Sequence, residues 1–148
     1  MIKRTIQMFK KDNIRVYFNS TSIVRALVRQ IRGSERVYGC IAWLTHPKLL
    51  DELESVDSEI IMTRHKCNKF KRHIKVKFMG KGRGKKKSLM HSKFAVGFSK
   101  KSTKPSWVCT GSFNWTKSAV RHHENMILIQ DEDIAQAYYD EFLRLKAL

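Results

Sequence analysis

The amino-acid sequence predicts an α/β fold in which a central mixed β-sheet carries helices on both faces. Short apolar or alternating segments are typical of strands, and apolar residues recur at helical spacing between several of them. The first half of the chain runs strand, helix, strand, helix, strand, which is the order of a sheet with helical crossovers. The length of 148 residues and the 42% hydrophobic content suit one domain with a real core.

The first half begins with a basic leader, expected to be loosely held over 1–13, before the domain proper at 14–148. The strands are predicted at 14–18, 37–43 and 59–63. A helix should start at the capping residues 19–22 and stop at Gly33. A shorter helix should follow Pro47, because proline suits the first helical turn.

The second half contains further strands, a charged loop and a closing helix. The strands are predicted at 73–79, 91–98, 106–110 and 125–130. A short helix is expected over 115–120. The last helix should begin near Asp131, where acidic residues suit the helix dipole, and its apolar stripe runs through Ile134, Tyr138, Phe142 and Leu145.

The charge distribution points to a polyanionic partner. The net charge is +17, and 18 of the 30 Lys and Arg residues lie between Ile60 and His123, where the sequence has no Asp or Glu. An ordinary solvated helix face would mix both signs, so a basic surface that binds a phosphate backbone is the better interpretation. The favoured partner is nucleic acid, with DNA favoured over RNA, and an anionic membrane surface is the second candidate.

Two residues two positions apart give the strongest chemical signal. His91 and Lys93 lie in a predicted strand, where alternate side chains point to the same face. Downstream, the turn Gly111-Ser112-Phe113-Asn114 can present Ser112 and Asn114 beside that face, and Glu124 opens the next strand. An imidazole that attacks phosphorus, an ammonium and an amide that bind its oxygens, and a carboxylate that orients the imidazole are the groups for phosphodiester cleavage.

These motifs resemble those of the phospholipase D superfamily, whose signature is H-x-K-x4-D followed by G-S-x-N. The chain reads HSKFAVGF, then TGSFNWT, then HHENMILI, and its opening from VYFNS to LLDEL is similar to the family's first strands and helices. The closest resemblance is to the small nucleases with one motif per chain, and it covers residue 14 to the C-terminus. It implies a phospholipase D-like sandwich.

The resemblance also implies a role for each residue. His91 would be the nucleophile, Lys93 a phosphate ligand, Ser112 and Asn114 the rest of the phosphate cradle, and Glu124 a hydrogen-bond partner of His91. The family reaction passes through a covalent phosphohistidine and needs a second histidine as general acid. Since the full signature occurs once here, a two-fold homodimer with the active site at its interface is implied. No cofactor and no metal is required.

One departure from the signature is that Phe98 stands where the family has its motif aspartate. In the family this aspartate is regarded as more structural than catalytic, so we expect activity to survive. The departure keeps open a second hypothesis, a binding module that holds nucleic acid without cutting it. A third is a hydrolase of anionic phospholipids.

Further residues are candidates for contact with nucleic acid. The loop between the strands ending at Met79 and beginning at His91 carries five cations, and its pattern does not fit a Walker loop, so it is predicted to follow a phosphate backbone. The five cations of this loop are Lys81, Arg83, Lys85, Lys86 and Lys87. Trp115 is included as a ring that could stack on a base, with packing as the alternative. Phe113 and Trp43 are expected to pack in the core.

The cysteines and histidines do not predict a metal centre. His65, Cys67 and His73 suggest zinc, but a fourth ligand is missing and the spacing matches no ordinary finger. Three cysteines in all imply no disulfide framework and fit a reducing compartment. With neither a signal peptide nor an apolar run of membrane-spanning length, the expectation is a cytoplasmic protein without stable membrane association.

Overall fold

The computed structural model describes residues 8–80 and 88–148, which form an eight-stranded sheet and three α-helices. The strands are β1 Met8–Lys11, β2 Ile14–Tyr17, β3 Arg36–Ile41, β4 Asp57–Thr63, β5 Lys75–Met79, β6 Lys93–Phe98, β7 Trp107–Gly111 and β8 Met126–Ile129. The helices are α1 Ser20–Arg32, α2 Pro47–Glu54 and α3 Glu132–Ala147. No helix in these two described ranges is both long and apolar enough to cross a membrane.

The sheet is mixed, and its strand directions bring several strand ends together. The order is β1-β2-β8-β7-β6-β3-β4-β5, with β3, β4 and β5 mutually parallel and all other pairs antiparallel. Strands β3, β4, β5 and β7 therefore end where β6 and β8 begin. We call this the site end of the sheet; it is marked by Ile41, Thr63, Met79, Gly111, Lys93 and Met126.

Helices cover both faces of the sheet, which confirms the predicted architecture. On one face, α1 and α2 bury apolar residues such as Leu27, Ile31 and Leu49 against the strands. On the other, Phe142 of α3 is buried, and Tyr139 packs on Phe98 with ring centroids 5.0 Å apart. Burial of these side chains is the main source of stability of the sandwich.

The N-terminal segment is better held than the sequence predicts. Residues 8–11, expected to belong to a loose leader over 1–13, form β1, which pairs with β2 in an antiparallel hairpin. The turn fits this pairing because Asp12 has a φ of 52°, a conformation that Asp tolerates. Asn13 fixes the turn by donating its side-chain amide to the Gln130 carbonyl at 3.1 Å.

The helix expected over 115–120 is wrong. Only a short 3₁₀ helix, Ala119–Arg121, is present in that region. The Trp115 N–H donates to the Trp43 carbonyl at 3.0 Å, and its own carbonyl accepts from the Thr45 N–H at 2.9 Å. Since both backbone groups of Trp115 bond the chain that continues from β3, they are not available to a helix.

Candidate active site at the site end of the sheet

His91 and Lys93 lie together at the start of β6. The predicted strand begins two residues later than expected, so His91 precedes it and is exposed. The Lys93 ammonium lies 3.4 Å from each ring nitrogen of His91 and donates to the His91 carbonyl at 2.8 Å. The two predicted catalytic side chains therefore contact each other directly. A hollow of about 480 Å³ opens beside them and is lined on its far side by Tyr138 and Glu141 of α3.

Partial burial changes the acidity of Lys93. Removal of the ammonium from water lowers the pKa of Lys93 below that of an ordinary lysine, and the charge of Glu124 opposes this shift. A less strongly hydrated ammonium binds a phosphate oxygen with a smaller desolvation cost. Burial and charge thus suit Lys93 to a role as an anion ligand.

Gly111 brings the ends of β7 and β8 together. A Cβ atom at this position would lie 2.2 Å from the Asn125 carbonyl oxygen and 2.8 Å from the Met126 Cα. The close approach lets the Ser112 N–H donate to the Asn125 carbonyl at 3.1 Å, and the Asn125 N–H donate to the Ser112 Oγ at 3.0 Å. Ser112 is thereby fixed at the site end.

Glu124 contacts Ser112 instead of His91. The Ser112 hydroxyl donates to the Glu124 carboxylate, and among residues 8–80 and 88–148 the carboxylate forms no hydrogen bond with His91. The prediction that Glu124 orients the imidazole therefore differs from the observed contact. The reason is the tight junction at Gly111, which places the Ser112 hydroxyl between Glu124 and the start of β8.

The residues after Ser112 differ in exposure. Asn114 is half-buried, and its side-chain oxygen is buried without a hydrogen-bond partner in the described part of the chain. This oxygen can only accept a hydrogen bond, so a contact of Asn114 with a phosphate oxygen would have to come from its side-chain NH2 group. Phe113 and Trp115 are each 2% exposed, so the packing expected for Phe113 is confirmed. The base-stacking role suggested for Trp115 is wrong, because its ring is enclosed by the core and offers no face to a base.

Two aromatic residues, Trp43 and His65, extend the site in a way that the sequence does not predict. Trp43, expected in the core, is only half-buried, and its ring lies edge-on to His91 with centroids 5.9 Å apart. His65 also contacts the Trp43 ring edge-on, with centroids 5.9 Å apart. Their place in the chain could have predicted this. Trp43 follows β3 and His65 follows β4, and the carboxyl ends of these two parallel strands lie at the same end of the sheet.

Asn68 holds this part of the site in place. Its amide donates to the carbonyls of Ala42 and Thr63 at 2.8 and 2.9 Å, and its oxygen accepts from the Leu44 N–H at 3.1 Å. The side chain is 1% exposed and hydrogen-bonds three backbone groups at the ends of β3 and β4. Trp43 is therefore fixed through its two chain neighbours.

Two other H-x-K triplets in the sequence are not equivalent to the first. His46 and Lys48 lie at the start of α2, where two residues apart do not share a face. His73 precedes β5, and Lys75 pairs with Asp57 at 3.7 Å. Neither triplet is followed by a G-S-x-N sequence.

Some predicted residues lie outside the described part of the chain. The loop cations belong to this group: Lys81, Arg83, Lys85, Lys86 and Lys87. For the suggested zinc site, the Cys67 N–H donates to the His65 Nδ1 at 3.1 Å. Within 8–80 and 88–148, no three His, Cys, Asp or Glu side chains converge as a metal site would require.

Phe98 fills the position of the motif aspartate far from His91. Phe98 lies seven positions after His91, a separation of about 23 Å at the usual strand rise. Phe98 is 1% exposed, and the Arg36 guanidinium lies 4.3 Å from its ring centroid on the α3 side of the sheet. The exchange of aspartate for phenylalanine thus changes packing at the opposite end of β6 and removes no group from the site end.

Comparison with known families assigns the chain to one of them. The family described as "Cardiolipin synthase, PLD-like domain", where PLD stands for phospholipase D, matches residues 10–146. The chain belongs to this family. Comparison with curated protein sequences gives no match.

Among solved structures, the fold is similar to NucT from Helicobacter pylori, with a TM-score of 0.72 and 17% identity over 88% of this chain and 93% of that one. It is also similar to Nuc, a phospholipase D family member from Salmonella typhimurium, with a TM-score of 0.69 and 16% identity over 88% and 91% of the two chains. TrmBL2, described as an archaeal chromatin protein with a novel mode of DNA binding, has a TM-score of 0.60 and 8% identity over 94% of this chain and 54% of that one.

Proposed function

We propose that the protein is a metal-independent phosphodiesterase that cleaves nucleic acid, DNA or RNA, with His91 as its nucleophile. The observation that carries the proposal is the direct contact of His91 with Lys93 at the site end, where Ser112 and Asn114 follow the last residue of β7. A chain of the PLD-like family that has these groups in reach of one another has the parts for phosphoryl transfer.

In the proposed reaction, an imidazole nitrogen of His91 attacks phosphorus and forms a phosphohistidine. The bond from phosphorus to the leaving oxygen breaks, and that oxygen takes a proton from a general acid. A water molecule then attacks phosphorus, loses its proton to the same group and releases His91. Lys93 and Asn114 bind the non-bridging oxygens throughout. Glu124, through Ser112, fixes the β7–β8 junction that carries Asn114.

We propose that the general acid is the same histidine of a second copy of the chain. The exposed His91 lies at the site end, where a two-fold axis could place two copies face to face. If so, light scattering on the purified protein gives the mass of a dimer. In a second experiment, wild type is mixed with a large excess of inactive His91→Ala protein and the subunits are allowed to exchange. The activity per wild-type chain should then fall. A monomer with full activity would exclude this arrangement.

Charge favours nucleic acid as the substrate. The net charge is +17, and the acid-free stretch from Ile60 to His123 includes strands β5, β6 and β7 and His91 itself. Such a surface attracts a phosphate backbone over a long range. An anionic phospholipid is the second candidate, because the description of the matching family names cardiolipin synthase.

The test is cleavage in excess EDTA by wild type and two histidine variants. Plasmid DNA, single-stranded DNA, structured RNA and cardiolipin vesicles are each incubated with wild type, His91→Ala and, as a matched control, His73→Ala. We expect wild type and the control to cut a nucleic acid, and His91→Ala to fall to background. Tight salt-sensitive binding without cutting would support the binding-module hypothesis. Release of phosphatidic acid alone would support the lipid hydrolase.

A further inference from the structure

Two adjoining hollows lie beside β5, the strand at one edge of the sheet. Their volumes are about 620 and 380 Å³, and Asn68, Lys69 and Phe78 line both of them. Phe78 is 40% exposed although it lies within a strand. A large exposed aromatic side chain between two hollows marks a surface where a ligand can bind.

The charge around Phe78 favours an anionic ligand. Four cations lie on this surface and form no ion pair within the described ranges: Arg64, Lys66, Lys69 and Lys71. The neighbouring Arg72 differs, because Asp51 at 2.6 Å and Glu54 at 3.3 Å neutralise it. The two hollows that Phe78 lines are therefore also lined by four cations that form no ion pair in the described part of the chain.

The same surface leads to the nucleophile. His65 lines the smaller hollow together with Phe78, and the Arg64 N–H donates to the Met79 carbonyl at 2.7 Å, which fixes this loop against β5. Trp43 contacts both His65 and His91, with ring centroids 5.9 Å from each. A chain of aromatic rings thus connects the hollows with the site end.

We propose that this surface binds unpaired bases of the substrate strand, with one base stacked on Phe78 and the phosphates beside it bound by the four cations. Aromatic side chains that alternate with cations along one path are the pattern of single-strand binding. A base in a duplex is already stacked and paired, so it cannot reach Phe78 without disruption of the duplex. The inference rests on the proposed function only in taking nucleic acid as the substrate, and it assigns single strands as the substrate class.

The test measures binding in a His91→Ala background, so that cleavage does not interfere. The ligands are a labelled single-stranded oligonucleotide, the same backbone with abasic sites, the duplex, and vesicles of phosphatidylcholine with cardiolipin. The substitutions are Phe78→Ala, Phe78→Leu and Phe78→Trp. The control is Phe9→Ala, which removes a 52% exposed phenylalanine from β1 at the opposite edge of the sheet.

Loss of one stacked base weakens binding by roughly 5- to 100-fold. We expect this loss for Phe78→Ala and Phe78→Leu with the intact single strand, and little change with the abasic strand or the duplex. Phe78→Trp should bind as well as the parent, and Phe9→Ala should be unchanged. Because leucine keeps an apolar side chain, a full recovery by Phe78→Leu would overturn stacking.

Equal weakening toward all nucleic acids, or an effect confined to vesicles, would also overturn the inference. Thermal melting of each variant separates a binding defect from unfolding. The outcome is independent of the proposed chemistry. If wild type cuts no nucleic acid, the proposed function is overturned even if Phe78 binds bases. If wild type cuts nucleic acid and the Phe78 substitutions do not change binding, this inference alone is overturned.

Discussion

Replacement of Gly111 by alanine should disable the site by moving one strand junction. The added Cβ would lie 2.2 Å from the Asn125 carbonyl oxygen and 2.8 to 2.9 Å from two more backbone atoms. Ordinary contacts are longer by about 1 Å, and backbone atoms held in a β-ladder cannot yield as the end of a side chain can. Such overpacking costs about 1–3 kcal/mol of the free energy of unfolding. A shift of about 1 Å in a catalytic group lowers the rate by about 100-fold.

The assay compares Gly111→Ala with Gly33→Ala, a matched control at the end of α1. A Cβ at Gly33 would lie 3.5 Å from the nearest atom, an ordinary van der Waals contact. Denaturant unfolding should show a loss of about 1–3 kcal/mol for Gly111→Ala only, and nuclease assays should show the loss of activity for the same variant. If Gly111→Ala keeps wild-type stability and activity, the account of how Ser112 and Asn114 are positioned is refuted.

Three further predictions concern other parts of the fold. Asn68→Ala should lower the free energy of unfolding by about 3 kcal/mol in denaturant titrations, because the Leu44 N–H and the Thr63 carbonyl lose the Asn68 side chain and the Ala42 carbonyl keeps only the Thr63 N–H. A thiol reagent should label Cys67 in the native protein and leave Cys40 and Cys109 intact, since burial raises the pKa of each of the latter two thiols to about 12. Activity should fall with rising pH below the ordinary lysine range, because burial lowers the pKa of Lys93 and the ammonium is lost as the pH passes that value. Lys93→Arg should remove this alkaline limb from the pH–rate profile, since a guanidinium stays charged.

Each of these predictions has a contradicting result. An Asn68→Ala protein as stable as wild type would show that water replaces the amide. Rapid labelling of Cys40 or Cys109 without unfolding would show that the core around them opens. An alkaline limb that Lys93→Arg leaves unchanged would assign the titration to another group.

The sequence predicted much of the fold because the strands and helices have clear hydrophobic periods. It failed where tertiary contacts override local pattern. Trp115 follows a turn and precedes polar residues that suit a helix, but its backbone bonds Trp43. Residues 8–11 were predicted to belong to a basic leader because they show no apolar alternation. An edge strand that is exposed on both faces does not need such alternation, so β1 becomes visible only through its pairing with β2.

The candidate site could likewise be predicted only in part from the sequence. Spacing along the chain was enough to place Lys93 beside His91, since both lie in one extended segment. The contact between Ser112 and Glu124 depends on how closely β7 approaches β8, which local sequence does not encode. Trp43 and His65 follow two other strands, so only the sheet order brings Trp43 to His91 and His65 to Trp43.

The most direct test of the central claim is to trap the covalent intermediate. Wild-type protein is mixed with single-stranded DNA in EDTA and quenched rapidly in alkali, because phosphohistidine is labile in acid, and the peptides are analysed by mass spectrometry. The account predicts a nucleotide-phosphoryl adduct on His91 that appears within one turnover and is absent from the His91→Ala variant. Turnover in EDTA with no adduct, or with an adduct on another residue, would contradict it.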